Sequence, residues 1–79
     1  MVNMVELVRF VLSNLVDAPD NLDIKQIDGE TTTILEVAVA KDDLGRVIGK
    51  QGKVINALRE LVRSSLNKND KKIVIEVLS

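Results

Sequence analysis

The stretch Val47-Ile48-Gly49-Lys50-Gln51-Gly52-Lys53-Val54-Ile55 holds the densest chemical signal in the sequence. Without a Cβ at Gly49 or Gly52 the chain can turn tightly, and a sugar-phosphate backbone can approach the main chain closely. A helix starting just after Gly52 would aim its first backbone N–H groups, and the positive end of its dipole, at the same place. Lys50 and Lys53 add full charges there. This chemistry holds an anion; it does not make or break bonds.

Other phosphate-binding loops fail on spacing. A Walker loop needs four residues between its glycines and Lys-Ser or Lys-Thr after the second, whereas Gly45 and Gly49 enclose three and Lys50 is followed by Gln51. A dinucleotide fingerprint needs Gly-x-Gly-x-x-Gly after a strand, and here the glycines fall at 45, 49 and 52 between two helical patterns. Catalysis is not expected from the residue types. The chain has no His and no Cys, so Ser13, Ser64, Ser65 and Ser79 have no partner that would make one a nucleophile. The spacing of Asp17, Asp20 and Asp23 is not that of a calcium loop, and these acids most simply cap and solvate a turn. No catalytic residue, bound metal or cofactor is expected. The only aromatic is Phe10, so folds that stack bases on sheet aromatics lack their platform.

Charge is distributed unevenly. Residues 1–40 carry two bases against seven acids, a net of −5. Residues 41–63 carry six bases against three acids, a net of +3, and the remainder adds +1. A basic stretch around the paired glycines suits phosphate binding, although lysines on a solvated helix face give the same count.

The elements that must position this loop follow from periodicity. Val5, Val8, Val11, Leu12, Leu15 and Val16 recur at helical spacing, and Asp17-Ala18-Pro19-Asp20 supplies a turn, so a first helix should end near Val16. Leu22 to Ile27 alternates, with Leu22, Ile24 and Ile27 apolar. Asp28-Gly29 signals a hairpin before a second β-branched run, Thr31 to Val39. Asp42 and Asp43 favour a helix N-terminus, and Leu44 to Ile48 makes a short helix stopped by Gly49. Val54, Ile55, Leu58, Leu61, Val62 and Leu66 define an amphipathic helix from about 53 to 66. Asn67 to Asp70 reads as a polar loop, and Ile73 to Leu78 as a closing strand. Helix, strand, strand, helix, helix, strand asks for an α+β domain, a three-stranded sheet with the helices on one face. At 79 residues, 46% hydrophobic and 29% charged, the chain fits one small globular domain over 1–79.

Ile48, Gly49, Gly52 and Ile55 stand in the places of Ile-Gly-x-x-Gly-x-x-Ile, and with the order of elements they resemble the KH (K-homology) RNA-binding domains. The resemblance covers the whole chain. It implies the type II, prokaryotic KH fold, and length and opening helix are similar to the single-domain bacterial KH proteins of the KhpA type.

The resemblance implies a clamp in which the Gly49–Gly52 loop holds the backbone of about four single-stranded nucleotides while the bases lie in a groove. The RNA-binding residues it implies are Gly49, Lys50, Gln51, Gly52 and Lys53, with Ile48 and Val47 near the groove floor and Arg46 and Arg59 as further phosphate contacts. Val54 and Ile55 fit either the groove floor or the core. Asn67 to Lys72 would be a short variable loop. Without aromatics, bases would be read by shape and hydrogen bonds.

The overall charge of −1 departs from the basic balance of many KH proteins. With two or three phosphates neutralised, the single-strand salt slope would be only about −1.5 to −2, so affinity should be weak and salt-sensitive. Val2, Met4, Leu7 and Phe10 offer the first helix a second apolar face, which frayed termini or wider core contact would equally explain. The resemblance implies a homodimer, or a heterodimer with a larger KH-containing protein of the KhpB type, and RNA-chaperone activity affecting cell division and wall growth. A protein–protein assembly module with incidental RNA contact is the competing reading. Asn3, Glu6, Arg9, Ser13 and Asn14 interrupt the apolar N-terminus, so neither a membrane span nor a signal peptide is expected, and the cytoplasm is the expected location.

Overall fold

The computed structural model describes residues 3–66 and 71–78. The polar loop expected at Asn67 to Asp70, and Val2 of the apolar face, lie outside the described residues. The elements run α1 (Met4–Ser13), β1 (Asp23–Asp28), β2 (Thr32–Ala38), α2 (Leu44–Ile48), α3 (Lys53–Leu66) and β3 (Lys72–Leu78). This is the expected α-β-β-α-α-β order of the type II KH arrangement.

α1 begins where the Asn3 side-chain oxygen accepts from the Glu6 N–H at 2.8 Å, satisfying one of the helix's orphan donors. It ends at Ser13, three residues short of the expected Val16. The Ser13 hydroxyl and the Asn14 amide both donate to the Phe10 carbonyl, at 3.1 and 2.6 Å, and compete with the helical ladder for it. The chain tightens there, with the Leu15 and Val16 N–H groups both donating to the Leu12 carbonyl. Val16 still reaches the core.

The sheet order is β1-β2-β3. β1 and β2 form the expected antiparallel hairpin, closed by the Gly29 N–H donating to the Thr32 carbonyl at 2.8 Å. β3 lies parallel to β2, which the intervening pair of helices makes possible. Ile24, Thr33, Leu35, Val37 and Ile75 are buried against Val8 and Leu12 of α1, Val47 of α2, and Ile55, Leu58 and Val62 of α3. Ile27 corrects the reading of β1. It is one position out of phase with Ile24, so the pleat carries it to the opposite face, where it is exposed across from Ile34.

Thr33 is buried, and its hydroxyl donates to Asp28 Oδ1 at 3.0 Å. The Gln26 amide bonds the same carboxylate, and these two hydrogen bonds, with a smaller contribution from Lys71, hold Asp28 below the usual carboxylate range.

Candidate nucleic-acid interface

α2 is five residues long, too short to hold its own direction, and its position comes from Asp43. Asp43 is 2% exposed; its Oδ1 accepts from the Asp17 N–H at 2.9 Å and its Oδ2 from the Ala18 N–H at 3.0 Å. Arg46 completes the arrangement, with its guanidinium 2.9 Å from Asp17 Oδ2 and 3.5 Å from Asp43 Oδ1. The start of α2 is thereby tied to the turn after α1. Asp43, expected only to favour a helix N-terminus, is the anchor of the site, and sequence alone had no signal for a bond to residues so far back in the chain.

From that anchor α2 runs to Gly49, whose N–H donates to the Gly45 carbonyl at 2.9 Å. Gly49 has φ 77° and ψ 171°, a region of backbone space essentially closed to other residues. Gln51, at φ 57°, and Gly52, at φ 77°, are also left-handed. The Gly52 N–H donates to the Gly49 carbonyl at 3.1 Å and the Lys53 N–H to the Lys50 carbonyl, so the loop closes as a 3-10 turn leading into α3. These bonds modify the expectation that the first N–H groups of the following helix are free at the loop. The N–H groups of Lys50 and Gln51, at its crown, make no hydrogen bond within the described chain.

Bareness at Gly49 serves the chain itself. A Cβ built there would stand 2.5 Å from Val54 Cγ2 and 2.7 Å from the Val54 nitrogen, so the glycine lets the end of α2 rest on the start of α3. At Gly52 the nearest atom to a built Cβ is the Asn56 amide nitrogen, at an ordinary 3.4 Å. Lys50, Gln51 and Lys53 are exposed, and neither lysine forms an ion pair with a described residue.

The apolar residues expected at the groove floor divide. Val47 and Ile55 are buried in the core, which corrects the placement of Val47 in the site: it faces the sheet and presents nothing to a ligand. Ile48, one residue and about 100° further round α2, is 39% exposed. Val54 faces α1, lining with Val11, Ala57, Leu58 and Leu61 an apolar groove of about 320 Å³ whose mouth holds Lys53.

The opposite flank of α3 carries Asn56 and Arg59 and faces β3. Arg59 donates to Asn56 Oδ1 at 2.9 Å and to the Ile75 carbonyl at 3.0 Å. Neither Arg46 nor Arg59 therefore stands free beside the loop as expected: one lies over the α1 turn and the other against the sheet edge. The loop brings together Gly49, Lys50, Gln51, Gly52 and Lys53, with Ile48 beside them. Among the described residues no three acidic, His or Cys side chains converge to hold a metal ion.

A glycine turn between two helices, packed over a sheet in this order, is the part of the molecule that comparison with known proteins can decide. The family model for the KH domain of KhpA and KhpB matches residues 5–77. The chain belongs to the KhpA/KhpB KH-domain family. It is 40% identical over 75 residues to the RNA-binding protein KhpA of Clostridium perfringens, covering 95% of this chain and all of that one. The KhpA of Caldanaerobacter subterraneus is also 40% identical with the same coverage. That of Chlamydia trachomatis is 37% identical over 95% of this chain and 96% of its own. KH domains are non-catalytic, and this KhpA-family chain is not an enzyme.

Proposed function

We propose that this KhpA-family chain binds single-stranded RNA, about four nucleotides at a time, with the Gly49–Gly52 loop against the sugar-phosphate backbone. The observation that carries this reading is the crown of the loop: two backbone donors and two exposed lysines, none with a partner among the described residues, at a turn with left-handed backbone at Gly49, Gln51 and Gly52. The names of the similar proteins support it. Lys50 and Lys53 neutralise phosphates, Gln51 and the Lys50 N–H complete the cradle, and Ile48 offers apolar contact to a sugar or base.

The protein works as a pair, either with a second copy or with a larger KH-containing partner of the KhpB type. Phe10 at 70% exposure and Leu61 at 41%, with the groove between α1 and α3, support such a face. Of the helix-one residues expected on it, Met4 and Leu7 turn instead against the core. By family resemblance the pair acts in the cytoplasm as an RNA chaperone or post-transcriptional regulator affecting cell division and wall growth. Among the described residues no helix is long and apolar enough to cross a membrane.

The test is the double variant Lys50→Asp/Gln51→Asp. Asp tolerates the left-handed backbone at position 51, so the fold should persist while two negative charges face the phosphate. Loss of RNA binding at low salt with an unchanged melting temperature is expected. Equal binding by variant and parent would favour an assembly module on a KH scaffold, with RNA contact incidental.

A further inference from the structure

Lys53 stands at two places at once. It is the first residue of α3, directly after Gly52 at the end of the RNA loop, and it also forms the mouth of the apolar groove between α1 and α3. Along α3 the groove continues through Val54, Ala57 and Leu61, and Ala57, with only a methyl group, leaves room between the larger side chains. Four residues, about 6 Å, separate Lys53 from Ala57 on one face of the helix. α1 carries a matching pattern. Glu6 and Phe10 are both exposed, and the same four-residue step sets them on one outer stripe, an acid one turn before the chain's only aromatic ring. Phe10 is next to Val11, which lines the groove from the α1 side. Neither Glu6 nor Lys53 has an ion-pair partner among the described residues.

A second copy that sets its Phe10 over Ala57 brings its Glu6 to Lys53. Ring and groove border one another on each molecule, so a two-fold axis makes both contacts twice. Charge and spacing together select a second copy as the occupant of the groove. We propose that Lys53 is shared between self-pairing and RNA binding, so that each weakens the other. In the pair the partner's Glu6 holds the Lys53 ammonium and sets a negative charge beside the phosphate site, and RNA has to displace it. By linkage, RNA loosens the pair by the same factor. The unpaired chain is the better RNA binder. The inference rests on the RNA reading of the loop and the pairing reading of the α1–α3 face, and its test tells their failures apart.

The experiment combines sedimentation equilibrium of the full chain with fluorescence anisotropy of labelled random-sequence RNA heptanucleotides, both at low salt. Saturating RNA should raise the dimer dissociation constant about tenfold, about threefold for each of two exposed ion pairs. Glu6→Gln keeps the backbone N–H that Asn3 caps and removes only the charge. At concentrations where the parent is a dimer, this variant should bind RNA about threefold more tightly than the parent and lose most of the RNA-induced shift. Phe10→Ser, which empties the groove, should be monomeric, and adding Glu6→Gln to it should leave RNA affinity unchanged, because Glu6 acts only across the pair. The inference is overturned if RNA leaves the dimer equilibrium unchanged or tightens it, or if Glu6→Gln changes RNA affinity equally in the dimeric and monomeric backgrounds. A parent that binds RNA but is monomeric at every concentration overturns it together with the pairing reading alone. A parent that pairs but binds no RNA overturns it together with the RNA reading alone.

Discussion

Gly49 and Val54 touch so closely that a methyl group on the glycine would lie 2.5 Å from the valine's Cγ2. The two helices of the KH core are joined through this contact, with the backbone of Gly49 in a conformation that side chains exclude.

Gly49→Ala should therefore cost about 2–4 kcal/mol, from backbone strain plus overpacking. Adding Val54→Ala should recover little, because it removes only Cγ2 and leaves the Val54 nitrogen at 2.7 Å and its Cβ at 2.8 Å from the new methyl group. Gly52→Ala makes only ordinary van der Waals contacts and should cost only about 1 kcal/mol, for its positive φ. Urea denaturation of the four proteins should place Gly52→Ala just below the parent, with Gly49→Ala and the double variant well below both.

Asp43→Ala leaves the Asp17 and Ala18 N–H groups without their acceptor and Arg46 without its buried partner. The loss should be about 2–3 kcal/mol, with Asp43→Asn between, because one amide oxygen can replace only one of two carboxylate bonds. Chemical denaturation measures the cost. An Asp43→Ala domain that stays folded should also bind RNA less well, because the start of α2 then loses its tie to the turn after α1.

Asp28 predicts a pH dependence. Its folded pKa is depressed by the Gln26 and Thr33 hydrogen bonds below the ordinary value of 3.8, so its contribution is fully present above that ordinary value and is lost as pH falls through the lower, folded one. Asp28→Asn removes the titration and keeps an acceptor for Thr33. The stability gap between parent and variant, measured by urea melts from neutral pH downwards, should be constant near neutrality and change only below about pH 4.

Phe10→Glu and Leu61→Glu place charge on the exposed α1–α3 face without touching the loop. Sedimentation should show the parent as a dimer and each variant shifted towards monomer, with the melting transition retained. Both variants remaining dimeric would place the pairing surface elsewhere.

How far the sequence could be read depended on the range of each interaction. The bounds of α2 and α3 matched the expected Leu44–Ile48 and 53–66, because apolar spacing and the stop at Gly49 are properties of adjacent residues. α1 ended early because Ser13 and Asn14 take a carbonyl three and four residues back, a competition that hydrophobic spacing does not register. Ile27 was misplaced for a similar reason: apolar character shows that a residue can be buried, but strand phase decides whether it is.

The order of elements, the α+β class and the turn between Gly49 and Gly52 were determined by the sequence itself, since periodicity and missing side chains act locally. The tertiary structure alone decided which flank each side chain serves. Val47 and Ile48 differ by one step of a helix, yet one is sealed in the core and the other meets solvent. Arg46 and Arg59 carry the same group, yet one pairs with carboxylates on the α1 turn and the other holds the edge of β3. Asp43 finds its partners 25 and 26 residues away, and Arg59 finds Ile75 at a separation of 16. Such pairings exist only once the sheet and the helices have closed on one another.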